Sequence, residues 1–292
     1  MNKTRITIAK PDIVKLFNES PQKIYDLSEI QRILDENRSF WRLTMSMSYS
    51  DFINYMISKT KLEKIVFNFM YRPIIRYAWG DVTLYEIILS LKKDSYFTHY
   101  TAMYFHDLTE QSPKTIYINV EQEKKPRQKG ALVQGRIDAA FKRPTRLSNN
   151  IAEYEGWTIR MLNGMNTGNL GVIEMLGPSK EKLRITNVER TLIDITVRPE
   201  YAGGVHEVLK AYRLAKEQVS VNKLIATLKK INYIYPYQQA IGFYLEKAGN
   251  YTQSQIELVR RFRMKYDFYL MHKMRDCDYS KKWRLYYPKG LG

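Results

Sequence analysis

The chain has very little cysteine: Cys277 is the single one among 292 residues. One cysteine forms no internal disulfide bond and cannot supply the cysteine pairs of a familiar zinc site. The sequence also lacks an apolar run long enough to cross a bilayer, and residues 1–10 lack the apolar stretch of a secretory signal. These absences predict a cytoplasmic protein that makes no contact with a membrane.

Several motifs of enzymes and cofactor sites are missing as well. The four histidines include no His-x-x-x-His pair, and the chain has no Gly-x-x-x-x-Gly-Lys loop for phosphates. The segment 135–138, Gly-Arg-Ile-Asp, lacks the paired acids of a nucleotidyltransferase. We therefore expect no catalytic residues, no metal and no cofactor, and we interpret the protein as a non-enzyme.

Acidic residues are scarce relative to basic ones. Lysine and arginine number 47 against 30 aspartates and glutamates, which gives a net charge of +17. Such a surface attracts polyanions, so nucleic acid is the expected partner, although a lysine-rich solvated face that binds nothing in particular explains the same count. With 44% hydrophobic residues, the length suffices for two domains with ordinary cores.

The first 80 residues follow a pattern of helices and then short strands. A helical turn is expected at 12–17 behind Pro11, and Asp26 with Glu29 forms a capping box at the start of a second helix. Ser50 is placed to cap a third helix, and residues 64–69 and 73–79 read as a two-stranded ribbon. This order predicts a winged helix-turn-helix DNA-binding domain over residues 1–80.

In that interpretation the third helix enters a DNA groove and the ribbon is the wing. The side chains available for groove contacts are Ser46, Ser48, Tyr49, Asn54 and Tyr55. The residues expected to meet phosphates are Lys59, Lys61, Lys64, Arg72 and Arg76. An ordinary helical hairpin packed on a ribbon, with solvated lysines, is the alternative.

Residues 81–292 form the second predicted domain, and the whole chain is expected to be an α+β protein. Strands are predicted at 115–120, 131–139, 157–162 and 172–176, and the last two flank a glycine-containing hairpin signal at 163–168. Helices follow at 186–195, 205–215, 221–231, 237–248 and 254–263. In the first of these, we expect Thr186 and Glu189 to cap the helix, and Arg190 and Asp194 to form an ion pair on its surface.

Basic residues of this larger domain are further candidates for nucleic-acid binding. The predicted basic surface consists of Lys124, Lys125, Arg127, Lys129, Arg260, Arg261 and Arg263. Aromatic side chains near the end of the chain could stack on bases if RNA were the partner, namely Tyr266, Tyr269, Trp283, Tyr286 and Tyr287. Docking of these aromatics into the core is the competing interpretation.

Five segments of the larger domain carry a resemblance to a known family. They are 98–118, 189–194 (Glu-Arg-Thr-Leu-Ile-Asp), 198–204, 237–242 and 283–288. In this order they resemble the AbiEi-type antitoxins of abortive-infection toxin–antitoxin systems. Within the first segment, Thr101 to Met103, His106 to Leu108 and Pro113 to Ile118 match the family's pattern, but Asp107 stands where glycine is usual.

The resemblance implies a winged helix followed by a larger antitoxin domain. It implies a transcriptional autorepressor that binds the promoter of its own operon and neutralises a nucleotidyltransferase-type toxin in phage defence. In the scheme called type IV, the antitoxin acts without a stable complex with the toxin, so such a complex is not expected.

Two alternatives remain open at the level of the sequence. Asp107 and Glu123 near Lys125 are a faint match to the acid and Glu-x-Lys pattern of metal-dependent nucleases, in which carboxylates hold magnesium. The other alternative is an RNA-binding module that protects the substrate of the toxin.

Overall fold

The structure is a computed structural model that describes residues 4–124 and 132–291. The chain divides into two compact units, residues 1–93 and 94–292. The division lies beyond the boundary expected after residue 80, and helix 84–90 therefore belongs to the first unit. Each unit mixes helices with sheets, as an α+β protein does. In the part of the chain that the structure describes, no helix has both the length and the apolar character needed to span a membrane.

The first unit begins with helix α1 and ends with a short helix behind a β-hairpin. Its elements in chain order are α1 (Arg5–Glu19), β1 (Ile24–Tyr25), α2 (Leu27–Asn37), α3 (Tyr49–Lys59), β2 (Leu62–Asn68), β3 (Pro73–Trp79) and α4 (Leu84–Ser90). The three strands form an antiparallel sheet in the order β1-β3-β2. Strands β2 and β3 pair from Leu62 opposite Trp79 to Asn68 opposite Pro73, which confirms the predicted ribbon.

Capping residues explain where the helices of this unit begin. The predicted capping box of α2 is present: Asp26 accepts from the Glu29 amide, and Glu29 accepts from the Asp26 amide. The prediction for α3 was wrong by two residues, because Ser48 and not Ser50 accepts from the Asp51 amide. Helix α1 was predicted too short, since it continues through Pro11, whose ring removes one hydrogen bond without ending the helix.

The core of the first unit is aromatic. Phe17 of α1 packs against Trp79 of β3, with ring centroids 4.9 Å apart, and against Tyr25 at 5.3 Å. Trp41 stacks on Phe52 of α3 at 5.9 Å. Burial of these rings holds α1 and α3 against one face of the sheet, because each aromatic side chain removes a large apolar area from water.

The larger unit begins with a mixed α/β region. Its elements are β4 (Tyr96–Phe97), α5 (His99–Phe105), β5 (Thr115–Asn119), α6 (Gln134–Lys142), β6 (Ile151–Tyr154), β7 (Trp157–Leu162), β8 (Val172–Leu176), β9 (Lys182–Thr186) and α7 (Val188–Val197). The strands form a six-stranded mixed sheet in the order β6-β7-β5-β4-β9-β8. Pairs β5·β7 and β4·β9 are parallel, and the other three are antiparallel.

Two predictions for this sheet were wrong. The strand expected at 131–139 is helix α6 in its described part, with Ile137 and Phe141 four residues apart on the buried face. The hairpin expected at 163–168 does not exist, because β5, β4 and β9 lie between β7 and β8 in the sheet. The connecting segment is held instead by Asn119, which accepts from the Gly164 amide at 2.9 Å, and by Glu121, which accepts from the Thr167 amide at 2.6 Å.

The rest of the larger unit is helical, with a small terminal sheet. Its elements are α8 (Val205–Leu214), α9 (Val221–Ile231), α10 (Tyr237–Ala248), α11 (Gln253–Arg260), β10 (Phe268–Tyr269), β11 (Cys277–Ser280) and β12 (Leu285–Pro288). The four helices were predicted, α9 and α10 with the bounds observed. The sheet has the order β10-β12-β11, and Trp283, which precedes β12, is completely buried against α10.

Candidate nucleic-acid interface

Helix α3 has one buried and one exposed face. Phe52, Ile53 and Met56 are buried in the core, whereas Asn54 and Ser58 are exposed. The spacing of three and four residues places all buried side chains on one side of the helix. The exposed side, which carries Asn54, is therefore free to meet a partner.

Other residues predicted to read a groove are held by hydrogen bonds within the unit. The Ser48 hydroxyl caps α3 and donates to Asp51 at 2.7 Å, and the Ser46 hydroxyl donates to Thr44 at 3.0 Å. The Tyr49 hydroxyl donates to Asp35 of α2 at 2.7 Å, and this bond raises the pKa of Tyr49. Tyr55 is half-buried and packs against the core. Of the five predicted groove residues, Asn54 is the one whose exposed side chain makes no hydrogen bond to the described residues.

The register of the β2–β3 hairpin assigns its residues to two faces. Directly opposed residues share a face, so Lys64 lies with Tyr77, and Ile65 lies with Arg76. The Tyr77 face carries the core with α1 and α3, because Leu62, Tyr77 and Trp79 are buried there. Lys64 thus belongs to the face of the hairpin that packs against the helices, and Arg76 belongs to the opposite one.

Arg76 is used inside the unit, contrary to the prediction that it meets a phosphate. Its Nε and Nη2 donate to the Ser90 carbonyl at 3.0 and 2.8 Å, and Nη2 also donates to the Leu91 carbonyl at 3.0 Å. These carbonyls end α4, where backbone acceptors lack helical partners. Burial lowers the pKa of Arg76, against the opposing effect of Asp26 and Glu29. The guanidinium therefore caps α4 and anchors it to β3.

The remaining predicted phosphate contacts are free at the surface. Lys59, Lys61, Lys64 and Arg72 are exposed, and none forms an ion pair with the residues that the structure describes. Lys59 ends α3 and Lys64 lies in β2, so five residue steps separate them. An extended chain covers at most about 3.5 Å per residue, which keeps the Cα atoms of Lys59, Lys61 and Lys64 within roughly 18 Å of each other.

The tip of the hairpin exposes apolar side chains that the sequence analysis had not singled out. Met70 is 68% exposed and Tyr71 is 80% exposed, next to Arg72. These neighbouring side chains leave apolar surface uncovered at the tip of the hairpin. They lie in the sequence between the two predicted strands.

The predicted basic surface of the larger unit is described in part. Lys124 is exposed, whereas Lys125, Arg127 and Lys129 lie outside the described residues. Arg260 pairs with Glu257 at 3.1 Å, and Arg261 and Arg263 are exposed. Of the five aromatic side chains considered for base stacking, Trp283 is fully buried and so cannot stack on a base, while the remaining four, Tyr266, Tyr269, Tyr286 and Tyr287, are half-buried.

The pair Arg190–Asp194 is buried, although the sequence predicted it at a helix surface. Arg190 Nε lies 2.8 Å from Asp194 Oδ1, and the two side chains are 6% and 7% exposed. Asn187 caps α7 by accepting from the Arg190 amide, in place of the predicted Thr186. Glu189 accepts from the Ser220 amide at 2.9 Å and so joins α7 to the start of α9. Periodicity located the pair correctly but could not show that Thr98, Thr167 and Leu170 from other segments contact it.

The carboxylates considered for a nuclease, Asp107 and Glu123, belong to no cluster of metal ligands among the described residues. Within residues 4–124 and 132–291, no group of three or more His, Cys, Asp or Glu side chains could hold a metal ion. Glu123 is exposed, and Asp107 is an exposed turn residue with φ 55°. Glycine favours that backbone region, so the turn at Asp107 keeps the conformation expected of glycine at this position.

Comparison with known proteins identifies a similar fold. No model of a protein family matches the chain, and no curated protein matches it by sequence. Among solved structures, it is similar to the crystal structure of the RV2827C protein from Mycobacterium tuberculosis, with a TM-score of 0.57 and 10% sequence identity. The similarity covers 96% of this chain and 91% of the other. At this identity, the likeness concerns the fold alone.

Proposed function

We propose that the protein is a DNA-binding transcriptional autorepressor and the antitoxin of an abortive-infection toxin–antitoxin system. In this proposal the first unit is a winged helix-turn-helix, α3 is its recognition helix and the β2–β3 hairpin is its wing. The larger unit is the AbiEi-like antitoxin domain, whose functional partner is a nucleotidyltransferase toxin.

One observation carries the DNA-binding part. Lys59, Lys61 and Lys64 are exposed where α3 passes into β2, and none of them forms an ion pair with the residues that the structure describes. Asn54 of α3 is exposed as well. A recognition helix needs an exposed polar face, and a wing needs free cations beside it for the phosphates. The order α1-β1-α2-α3-β2-β3, with β1 completing the sheet, supports the same assignment.

The antitoxin part is supported by how the resembling segments pack. Segment 98–118 contacts segment 189–194 directly, because the Thr98 hydroxyl donates to Asp194 at 3.1 Å. The strands that precede the two segments pair at Phe97 and Ile185. His106 Nε2 lies 2.6 Å from the Thr186 carbonyl. Two of the five segments that carry the resemblance thus pack against each other in the larger unit.

Binding to the duplex upstream of the protein's own gene tests the first part. We expect replacement of Lys59, Lys61 and Lys64 by alanine to abolish retention of this duplex, because several phosphate contacts release several counterions. Wild-type affinity should fall steeply with salt, and Lys64→Ala alone should reduce the slope of log affinity against log salt by about 0.9. An affinity that barely changes between low and moderate salt would contradict the proposal.

A charge exchange provides a matched control. The double substitution Glu63→Lys with Lys64→Glu keeps the net charge and moves the lysine to the opposite face of β2. If the wing binds phosphates as proposed, the exchanged protein loses most of its operator affinity. Equal affinity of the exchanged and wild-type proteins would show that only the overall positive field attracts DNA.

The second part is tested by growth of cells that express the downstream gene product together with each variant. The triple alanine variant should lose operator binding and still neutralise the toxin. Loss of neutralisation with operator binding preserved would reverse the assignment of the two units. Stronger retention of tRNA than of promoter duplex would favour the RNA-binding alternative.

A further inference from the structure

The larger unit contains a cleft that the DNA-binding and antitoxin proposal does not use. Its volume is about 480 Å³, within the range of small-molecule sites. The cleft lies between α5, α7, the loop before β6 and the segment after β7. Three guanidinium groups line it, those of Arg146, Arg190 and Arg198.

The charges in this cleft are not balanced. Arg190 is neutralised by Asp194 at 2.8 Å, and both Asp194 oxygens are occupied, one by Arg190 and one by the Thr98 hydroxyl. Arg146 and Arg198 make no side-chain hydrogen bond or ion pair with the described part of the chain. Two unpaired guanidinium groups beside one neutralised pair leave a cationic site, and guanidinium binds phosphate through two parallel hydrogen bonds.

A neutral histidine adds a hydrogen-bond acceptor to the cleft. The Thr98 hydroxyl has one proton and donates it to Asp194, so His99 Nδ1, 3.1 Å away, must donate to Thr98. The His99 Nε2 is then unprotonated and has no partner among the described residues, although the residue is only 9% exposed. Burial, with contributions from Arg190 and Arg198, lowers the pKa of His99 to about 4.

Part of the cleft lining is apolar. Leu147, Leu162 and Met165 contribute to the lining, together with the rings of Tyr201 and Tyr233. A ligand that fills this space needs an anionic end for the arginines, a donor for His99 and a flat apolar part. We propose that the cleft binds a nucleoside phosphate, with the phosphates at Arg146 and Arg198, a sugar or base donor at His99, and the base against the apolar and aromatic side chains.

Titration calorimetry of the full-length protein tests this proposal. The probes are ATP, GTP, CTP and UTP without magnesium, and inorganic phosphate. At least one nucleotide should bind with a stoichiometry of one, at least tenfold more tightly than phosphate. Arg146→Ala and Arg198→Ala should each weaken that binding at least tenfold, while the matched variant Arg143→Ala, an exposed arginine that does not line the cleft, should bind like wild type.

Three results would overturn the proposal. One is no binding of any nucleotide to the wild-type protein. A second is nucleotide binding that neither Arg146→Ala nor Arg198→Ala weakens, and the third is phosphate binding as tight as nucleotide binding. Arg146 lies on an exposed loop, so its replacement should leave the fold intact. Retention of operator DNA by these variants would separate this result from the proposed function, which depends on the other unit.

Discussion

Arg190 and Asp194 form an ion pair inside the larger unit, one helical turn apart on α7. Arg190 Nη1 also donates to the Thr167 hydroxyl at 3.0 Å and to the Leu170 carbonyl at 2.8 Å. Although burial alone would lower it, the charge of Asp194 raises the pKa of Arg190. The pair thereby ties α7 to the segment between β7 and β8, which closes one side of the nucleotide-sized cleft.

Removal of one member of this pair should be far more harmful than removal of both. Asp194→Asn leaves a buried cation without its counter-charge, and we expect a loss of about 3–5 kcal/mol in the free energy of unfolding. The double variant Arg190→Met with Asp194→Leu should lose less, because no buried charge remains. Urea unfolding curves measure both. A double variant less stable than Asp194→Asn would contradict this account.

Gly242 of α10 is required by the ring of Trp283. A β-carbon at this position would lie 2.0 Å from Cζ3 of the indole and 2.4 Å from Cη2. The ring cannot move easily, because it is fully buried and its Nε1 donates to Glu246. Gly242→Ala should therefore destabilise the protein by about 1–3 kcal/mol, despite the better helix propensity of alanine.

The matched control for this substitution is Gly135 of α6. A β-carbon there meets no atom within 4 Å, and its backbone has no positive φ. Gly135→Ala should stabilise the protein by about 0.5–1 kcal/mol, because alanine loses less backbone entropy on folding. Thermal unfolding of the two variants decides the question, and equal effects of both would show that the contact with Trp283 is unimportant.

Elements with a strong local signal could be predicted from the sequence. Helices α9 and α10 were placed at their observed bounds, since their apolar residues recur at helical spacing. The start of α2 followed from its capping box. In contrast, β7 and β8 were found but paired wrongly, because strand order depends on contacts with β5 and β4 that no local pattern records.

The candidate sites divide in the same way. The exposure of Lys59, Lys61 and Lys64 could be predicted, because lysine side chains are rarely buried. The role of Arg76 could not, since its partners at Ser90 and Leu91 lie beyond the predicted boundary. The cleft was missed entirely, because Arg146, Arg198 and His99 come from separate segments that meet only in the fold.

The titration of His99 should be visible in the pH dependence of stability. Its folded-state pKa of about 4 lies below the ordinary 6.5, so the unfolded chain binds the proton more readily. The contribution of neutral His99 to the free energy of unfolding is fully present above pH 6.5. It is lost as the pH falls toward 4, by about 3 kcal/mol at 1.36 kcal/mol per pKa unit.

His99→Asn removes this titration and suits the backbone, because asparagine tolerates the φ of 51° at this position. Between pH 7 and pH 4 the variant should lose less unfolding free energy than wild type, even if it is less stable at pH 7. Urea unfolding at several pH values gives both slopes. Parallel slopes would show that His99 takes up its proton equally in the folded and unfolded states.

Arg76 and Arg72 should separate stability from DNA binding within one hairpin. Arg76→Ala leaves the carbonyls of Ser90 and Leu91 without their charged donor, which should destabilise the first unit by about 1–3 kcal/mol. Arg72→Ala removes an exposed side chain at the hairpin turn, so stability should change by less than about 0.5 kcal/mol.

If the hairpin is the proposed wing, Arg72→Ala weakens operator binding and reduces its salt dependence. Arg76→Ala should retain the salt dependence of wild type at temperatures where the unit is folded. Fluorescence anisotropy with the operator duplex, together with thermal unfolding, measures both effects. A reduced salt slope in Arg76→Ala would mean that this guanidinium leaves α4 to contact phosphate.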